Sequence, residues 1–109
     1  MEISNSPTPS ITQKVEDILS KAYLVRTNDL PQSIKLANEA ISLAKDEDEN
    51  LYAKAINALA FFYMIRCRYE ESIELSNEAL VYFTKHKNQI GIANAKFNIA
   101  SIYYKSNRF

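Results

Sequence analysis

The feature that most constrains the fold of this 109-residue chain is an internal repeat of about 40 residues. SIKLANEAI at 33–41 and SIELSNEAL at 72–80 start 39 residues apart and are identical at six of nine positions. A second set of large apolar residues recurs at a spacing of 40: Leu19, Leu59 and Ile99, and Tyr23, Tyr63 and Tyr103. Such a period predicts stacked copies of one small unit, each of which buries its apolar face against the next. The one-residue difference in spacing predicts one extra residue in the internal turn of the first unit.

Each half of the unit has the spacing of an amphipathic helix. In the second unit Ile56, Leu59, Ala60 and Tyr63 follow the i, i+3, i+4, i+7 pattern, which places them on one helical face. One glycine and three prolines leave few positions that interrupt a helix, and the frequent turn residues of a β-rich fold are absent. We therefore predict an all-α fold of five helices, over residues 11–27, 30–46, 50–66, 69–86 and 89–106.

Two helix starts carry recognisable capping signals. Ser10 with Gln13, and Asp29 with Gln32, have the spacing of a capping box, in which each of the two side chains can satisfy a backbone N–H at the position of the other. Pro31 falls in the first turn of the second predicted helix, where its missing N–H costs little.

Charge and cysteine content exclude several classes of protein. Thirteen basic residues balance 13 acidic ones, so no strong attraction to nucleic acid or anionic lipid is expected. The single cysteine, Cys67, excludes an internal disulfide and a cysteine-based zinc site. The apolar run at 51–65 is too short, and with Lys54 and Asn57 too polar, to insert into a membrane. The first ten residues lack the pattern of a signal peptide, and we expect a cytoplasmic protein.

The second and third units resemble tetratricopeptide repeats. The resemblance rests on a large apolar, a small and an aromatic residue in the first helix of each unit, and on small residues in the second helix: Leu59, Ala60 and Tyr63; Ile99, Ala100 and Tyr103; Ser72, Ser76 and Ala79. The first unit follows the pattern less closely, with Leu19, Ser20, Tyr23, Ser33, Ala37 and Ala40. The resemblance implies a right-handed superhelix of antiparallel helix pairs. The repeats would cover about 11–49, 50–88 and, incompletely, 89–109, after a disordered leader at 1–10.

Small residues in this pattern are expected where helices cross closely. Ala60, Ala79 and Ala100 would let the backbones approach, while Tyr63 and Tyr103 would fill the adjacent wider spaces. The repeat is longer than the common 34-residue form, and such repeats resemble those of bacterial signalling and regulatory proteins.

A binding groove is implied on the concave face, which the first helix of each repeat lines. Inward positions carried over from the family include Lys14, Asp17, Lys21, Leu24 and Val25 in the first unit. We select as candidate groove residues Lys21, Lys54, Asn57, Phe61, Asn94, Phe97 and Tyr104. The asparagines can donate and accept hydrogen bonds to a peptide backbone, the lysines can meet carboxylates, and the aromatic rings can hold an apolar anchor. The alternative is that the apolar members pack between repeats and the polar ones form a solvated face.

The groove differs from the chaperone-tail clamp known in this family. That clamp needs Lys and Asn where this chain has Asp17 and Lys21, so recognition of a chaperone carboxyl terminus is disfavoured.

Other chemistry-bearing residues favour ordinary structural roles. His86 is the one histidine and lies near a predicted helix end, and the acidic run 46–49 lacks the glycine and the spacing of a calcium loop. Cys67 lies between two arginines in a predicted turn, where an incidental thiol is favoured over a redox sensor. We expect no catalytic site, cofactor or metal, and therefore a binding module and not an enzyme.

The third unit stops where its second helix is expected to begin, at Phe109. Ile99, Ile102 and Tyr103 would then lack a covering helix, which predicts self-association through the last helix or a longer protein that continues the stack. We expect the N-terminal part of a larger bacterial signalling or regulatory protein that binds a protein or peptide. The alternative is a structural or dimerisation segment of a sensor kinase, nucleotide cyclase or transcription regulator with no ligand in its groove.

Overall fold

The computed structural model describes residues 10–106, in which the chain forms five α-helices. Their bounds, in chain order α1 to α5, are Ile11–Leu24, Leu30–Ala44, Glu49–Ile65, Tyr69–Lys85 and Gln89–Ser106. The all-α prediction is confirmed, and every predicted helix is present with its ends moved by at most three residues. The expected leader, apart from Ser10, and residues 107–109 lie outside the described residues.

Local capping explains where the helices start. Ser10 accepts a hydrogen bond from Gln13 N at 3.1 Å, and Asp29 accepts one from Gln32 N at 3.1 Å, so the two cap residues act as the sequence predicts. The reciprocal bond of the first capping box is not formed, because the Gln13 side chain donates to Asp17 Oδ1 at 2.8 Å instead. Asp48 caps α3 in the same way, through a bond of 2.9 Å from Leu51 N. The acidic run 46–49 thus serves as the turn into α3 and its N-terminal cap.

The internal turn of the first unit is longer than that of the second, as predicted, but by two residues instead of one. It covers residues 25–29, whereas the turn between α3 and α4 covers 66–68. The shorter turn is made by Cys67, whose backbone has φ of 65°. That left-handed conformation reverses the chain within three residues.

Small side chains fill the interior, so the helices approach closely. Nine alanines are fully buried: Ala22, Ala37, Ala40, Ala44, Ala53, Ala55, Ala60, Ala79 and Ala95. Two serines add direct links between paired helices. Ser33 Oγ donates to the carbonyl of Ala22 at 2.6 Å, and Ser72 Oγ donates to that of Ala60 at 2.5 Å. A larger side chain at these crossings would be overpacked.

The last helix departs from the expected packing at two positions. A close helix crossing was expected at Ala100, but this residue is exposed. The reason is that α5 is the last helix within residues 10–106, and no described element covers that side of it. Ile102, expected to be uncovered, is fully buried, because it lies on the side of α5 that faces the preceding helices. Of the three apolar residues expected to be uncovered, Ile99 is half-buried and Tyr103 is 41% exposed.

Contacts between helices follow a simple order. Each helix packs against the next, and α3 also packs against α1 and against α5. By contrast, no Cα atom of α2 (30–44) lies within 8 Å of one in α4 (69–85). The first helices of the three units therefore lie side by side, and the face that they share is the place where a groove can form.

Candidate functional site

A cavity of about 550 Å³ opens between α1, α3 and α5. Its lining combines apolar and aromatic side chains with asparagines and one lysine: Leu19, Tyr23, Lys54, Asn57, Ala58, Phe61, Phe83, Asn88, Ile90, Gly91, Asn94, Phe97 and Asn98. A smaller depression of about 440 Å³ shares two of these residues and extends along α1 through Ser20 and Leu24. We call the larger cavity the groove.

One wall of the groove is aromatic. The rings of Tyr23 on α1 and Phe61 on α3 stack, with centroids 6.1 Å apart and planes 25° apart. The guanidinium carbon of Arg26 lies 3.6 Å from the centroid of the Tyr23 ring, a cation–π contact that helps to hold the ring in place. This wall is therefore preorganised by contacts within the chain.

The opposite wall exposes apolar side chains to solvent. Ile90 is 76% exposed and Phe97 is 66% exposed, and both project from α5. Phe83, which is 1% exposed, lies beneath them and is packed against Gly91. Exposed apolar groups around a concave surface mark a ligand or partner site.

Asparagines occupy both the floor and the entrance of the groove. Asn98 Nδ2 donates to the backbone carbonyl and to Oδ1 of Asn57, each at 3.1 Å, so this pair joins α3 to α5 in the buried floor. Asn88 accepts from Gly91 N at 3.0 Å and donates to Asn50 Oδ1 at 3.1 Å. Asn94 lies at the entrance and is exposed. The side-chain oxygen of Asn57 is therefore already hydrogen-bonded within the protein.

The charge in the groove is compensated. Among the described residues that line it, Lys54 is the charged one, and its Nζ lies 2.8 Å from Glu16 Oε2 on α1. Both side chains of the pair remain more than 40% exposed. From the sequence, Lys54 was expected to be available to a ligand carboxylate. In the structure it already has an anionic partner.

The structure brings five of the predicted groove residues to the cavity: Lys54, Asn57, Phe61, Asn94 and Phe97. Lys21 on α1 and Tyr104 on α5 are exposed but do not line it. In place of Lys21, α1 contributes Leu19 and Tyr23, which the internal repeat pattern predicts to be packing positions and not groove residues.

The register of α1 explains this difference. The serine hydroxyl bonds make Ala22 equivalent to Ala60, a spacing of 38 and not 40. With that spacing, Leu19 and Tyr23 correspond to Asn57 and Phe61, which are the groove positions of α3. Each residue turns a helix by about 100°, so a shift of two residues rotates the expected face of α1 by about 200°. No clear signal in the sequence marks this register, because Ala22 precedes Ser33 by 11 residues whereas Ala60 precedes Ser72 by 12.

The remaining candidates of the sequence analysis lie outside the groove. His86 follows α4 and its Nε2 lies 2.9 Å from Glu49 Oε1, which Lys85 Nζ also contacts at 2.8 Å. Hydrogen bonds from Lys85 and His86 lower the pKa of Glu49 below its ordinary value of 4.5. Cys67 is exposed, and the hydroxyl of Tyr69 lies 3.5 Å from its sulfur. Glu49, Lys85 and His86 form a surface network that joins the start of α3 to the end of α4, whereas Cys67 and Tyr69 lie at the other end of these helices, at the turn between them.

Two further searches cover residues 10–106. None of these helices combines the length and apolar character that a bilayer span requires. In the same residues, no group of three or more histidine, cysteine, aspartate or glutamate side chains is arranged to hold a metal ion.

The chain was also compared with known proteins. It matches no family model, no curated protein and no solved structure.

Proposed function

We propose that this chain is a protein- or peptide-interaction module of the tetratricopeptide type, and that its ligand binds in the groove between α1, α3 and α5. The observation that carries the proposal is the groove itself: a cavity of about 550 Å³ with a stacked aromatic wall on one side and exposed Ile90 and Phe97 on the other. Leaving large apolar groups in water is unfavourable, and a bound segment that covers them regains that free energy.

Helix contacts support the proposed repeat architecture. In a superhelix of antiparallel helix pairs, the first helices lie on the inner side and approach one another, while the second helices diverge on the outer side. The contacts of α3 with α1 and α5, and the separation of α2 from α4, agree with that arrangement. The two serine-to-carbonyl bonds, at equivalent places in two units, support a repeated unit.

The chemistry of the lining supports binding over catalysis. Amide, aromatic and aliphatic groups form the described lining, together with the paired Lys54. Amides bind a peptide backbone and aromatic rings hold apolar side chains. Tyr23 and Lys54 are of residue types that can transfer a proton or act as a nucleophile. Here, however, Tyr23 stacks against Phe61 and Arg26, and Lys54 is paired with Glu16. We accordingly propose a non-catalytic protein that acts in the cytoplasm.

A peptide-binding assay tests the proposal. The purified chain is incubated with an array of random 12-residue peptides carrying acetylated and amidated ends, and affinities of the selected peptides are measured by fluorescence anisotropy. We expect Phe97→Ala to weaken binding by about tenfold or more, because truncating an aromatic anchor in an interface costs about 2 kcal/mol. Phe97 is 66% exposed, so its loss should leave the fold intact.

Val81→Ala is the matched control, because Val81 is an apolar residue of similar exposure, 65%, on α4 outside the groove. Equal affinities for the wild type and both variants would refute the groove as the binding site.

A second candidate function is supported by the outer side of α5. Ala93, Ala100 and Tyr103 lie 40 residues after Ala53, Ala60 and Tyr63, which belong to the side of α3 that packs within the second unit. In α5 the corresponding three residues are exposed. That side would suit a scaffold or dimerisation segment of a sensor kinase, nucleotide cyclase or transcription regulator. Sedimentation of the purified chain over a range of concentrations distinguishes self-association from a monomer.

A further inference from the structure

We infer that the groove selects a short peptide segment that inserts an uncharged apolar side chain, and that it discriminates against a carboxylate at the same position. This inference rests on the proposed function and adds the chemical class of the ligand. It is carried by the size of the groove, the distribution of its apolar groups and the pairing of its charge.

The size of the groove favours a short segment. Its volume of about 550 Å³ lies within the range of about 300–1,000 Å³ that is typical of ligand pockets. A stretch of a few residues, with one large side chain directed inward, fits this space.

The apolar groups define where the inserted side chain would lie. The stacked pair Tyr23 and Phe61 forms one wall, and Ile90 and Phe97 form the other. An aliphatic or aromatic side chain placed between these walls would shield both from water. Exposed Asn94 at the entrance can then donate to and accept from the backbone amides on either side of the anchor.

The charges decide which anchor is accepted. Lys54 is the charged group of the described lining, and Glu16 neutralises it at 2.8 Å. A carboxylate entering the groove would lose hydration, would meet no unpaired cation and would approach Glu16, which has the same sign. An uncharged anchor avoids each of these costs. The Lys54–Glu16 pair is therefore a specificity determinant of the groove.

The decisive experiment varies the anchor without varying its shape. Peptides are first selected on the array described above, and the anchor position is identified by alanine scanning. Three peptides are then synthesised with Leu, Asn or Asp at that position, because these side chains are similarly branched. We expect the Leu peptide to bind best and the Asp peptide to bind at least about tenfold more weakly than the Asn peptide, because Asn and Asp have nearly the same shape and only Asp carries a charge.

The protein side of the experiment removes the partner of Lys54. In Glu16→Gln the lysine becomes available to a ligand carboxylate, and we expect the Asn-to-Asp affinity ratio to fall by about two- to fivefold, the range for a partly exposed ion pair. Glu39→Gln makes the same charge change on α2, outside the groove, and should leave the ratio unaltered. Circular dichroism checks that each variant is folded.

The outcomes separate this inference from the proposed function. An array on which no peptide binds, or binding that Phe97→Ala does not weaken, overturns the proposed function and the inference with it. Binding that depends on Phe97 but is equal or stronger for the Asp peptide overturns the inference alone. An unchanged ratio in Glu16→Gln overturns the role of the ion pair.

Discussion

Replacing Gly91 with alanine tests how closely α4 and α5 pack beside the groove. A Cβ atom at Gly91 would lie 2.5 Å from Cγ and 2.7 Å from Cε1 of the Phe83 ring. Carbon atoms in contact are normally about 3.5–4.0 Å apart, so either the ring or the helix must move. Phe83 is 1% exposed and packs against core residues, so the ring can move away from a new Cβ atom only by disturbing those contacts or by shifting toward the groove that it borders.

Two opposing effects set the magnitude of the change. Alanine is more favourable than glycine within a helix by at most about 1 kcal/mol. Overpacking a core costs about 1–3 kcal/mol, and contacts as short as 2.5 Å place this site in the upper part of that range. We expect Gly91→Ala to lower the free energy of unfolding by about 1–2 kcal/mol, which would lower Tm by several degrees in a domain of this size.

Urea unfolding followed by circular dichroism measures the change, and a second substitution isolates its cause. Phe83→Leu removes the ring atoms that the new Cβ would meet, at its own cost in packing. In that background Gly91→Ala should become neutral or stabilising, so the two substitutions should be strongly non-additive. A Gly91→Ala variant that is more stable than the wild type would refute the close packing of α4 and α5.

Two other expectations concern stability and titration. Ser72→Ala should lower the free energy of unfolding by about 1 kcal/mol because it removes a buried hydrogen bond. In the same urea experiment Ser76→Ala should be neutral or stabilising, because the Ser76 hydroxyl is equally buried and has no hydrogen-bond partner among the described residues. A Ser76→Ala variant that is less stable than Ser72→Ala would contradict this expectation. The lowered pKa of Glu49 means that its contribution to stability is present above pH 4.5 and lost as the pH falls through the folded-state pKa. An NMR titration should therefore place the Glu49 midpoint below 4.5 and move it upward in Lys85→Met, while a midpoint that Lys85→Met leaves unaltered would exclude the hydrogen bond from Lys85 as its cause.

Most of the helical framework was predictable because its causes are local. The start of α1 follows from Ser10, and the start of α2 follows from Asp29 and Pro31, all of which act within one turn. The end of α1 was placed three residues too late, at 27 instead of 24. Val25 leaves the helix there with φ of −92° and ψ of 1°, and no glycine in the sequence marks that position.

The candidate site was predictable where the repeat is regular. Residues of α3 and α5 keep the spacing of 40, so Asn94 and Phe97 were correctly assigned to the same face as Lys54 and Asn57. The predicted groove face of α1 was wrong by two residues. Identical residues at positions 19 and 59 suggested a repeat spacing of 40, whereas the packing of α1 corresponds to a spacing of 38. Identity of residue type at two positions does not require the same orientation once a connecting turn differs in length.

The amino-acid sequence by itself determined that the chain forms helices in a repeated pattern, because helix formation, capping and the apolar period depend on residues within a few turns of one another. Only the tertiary structure decided what the groove contains. In the structure Lys54 contacts Glu16 and Asn57 contacts Asn98, so each of these side chains already has a partner within the protein. These contacts depend on the distance and rotation between helices that are about 40 residues apart in the chain. Those quantities follow from the packing of the whole core, in which each buried alanine and serine sets how closely and at what angle two helices can meet.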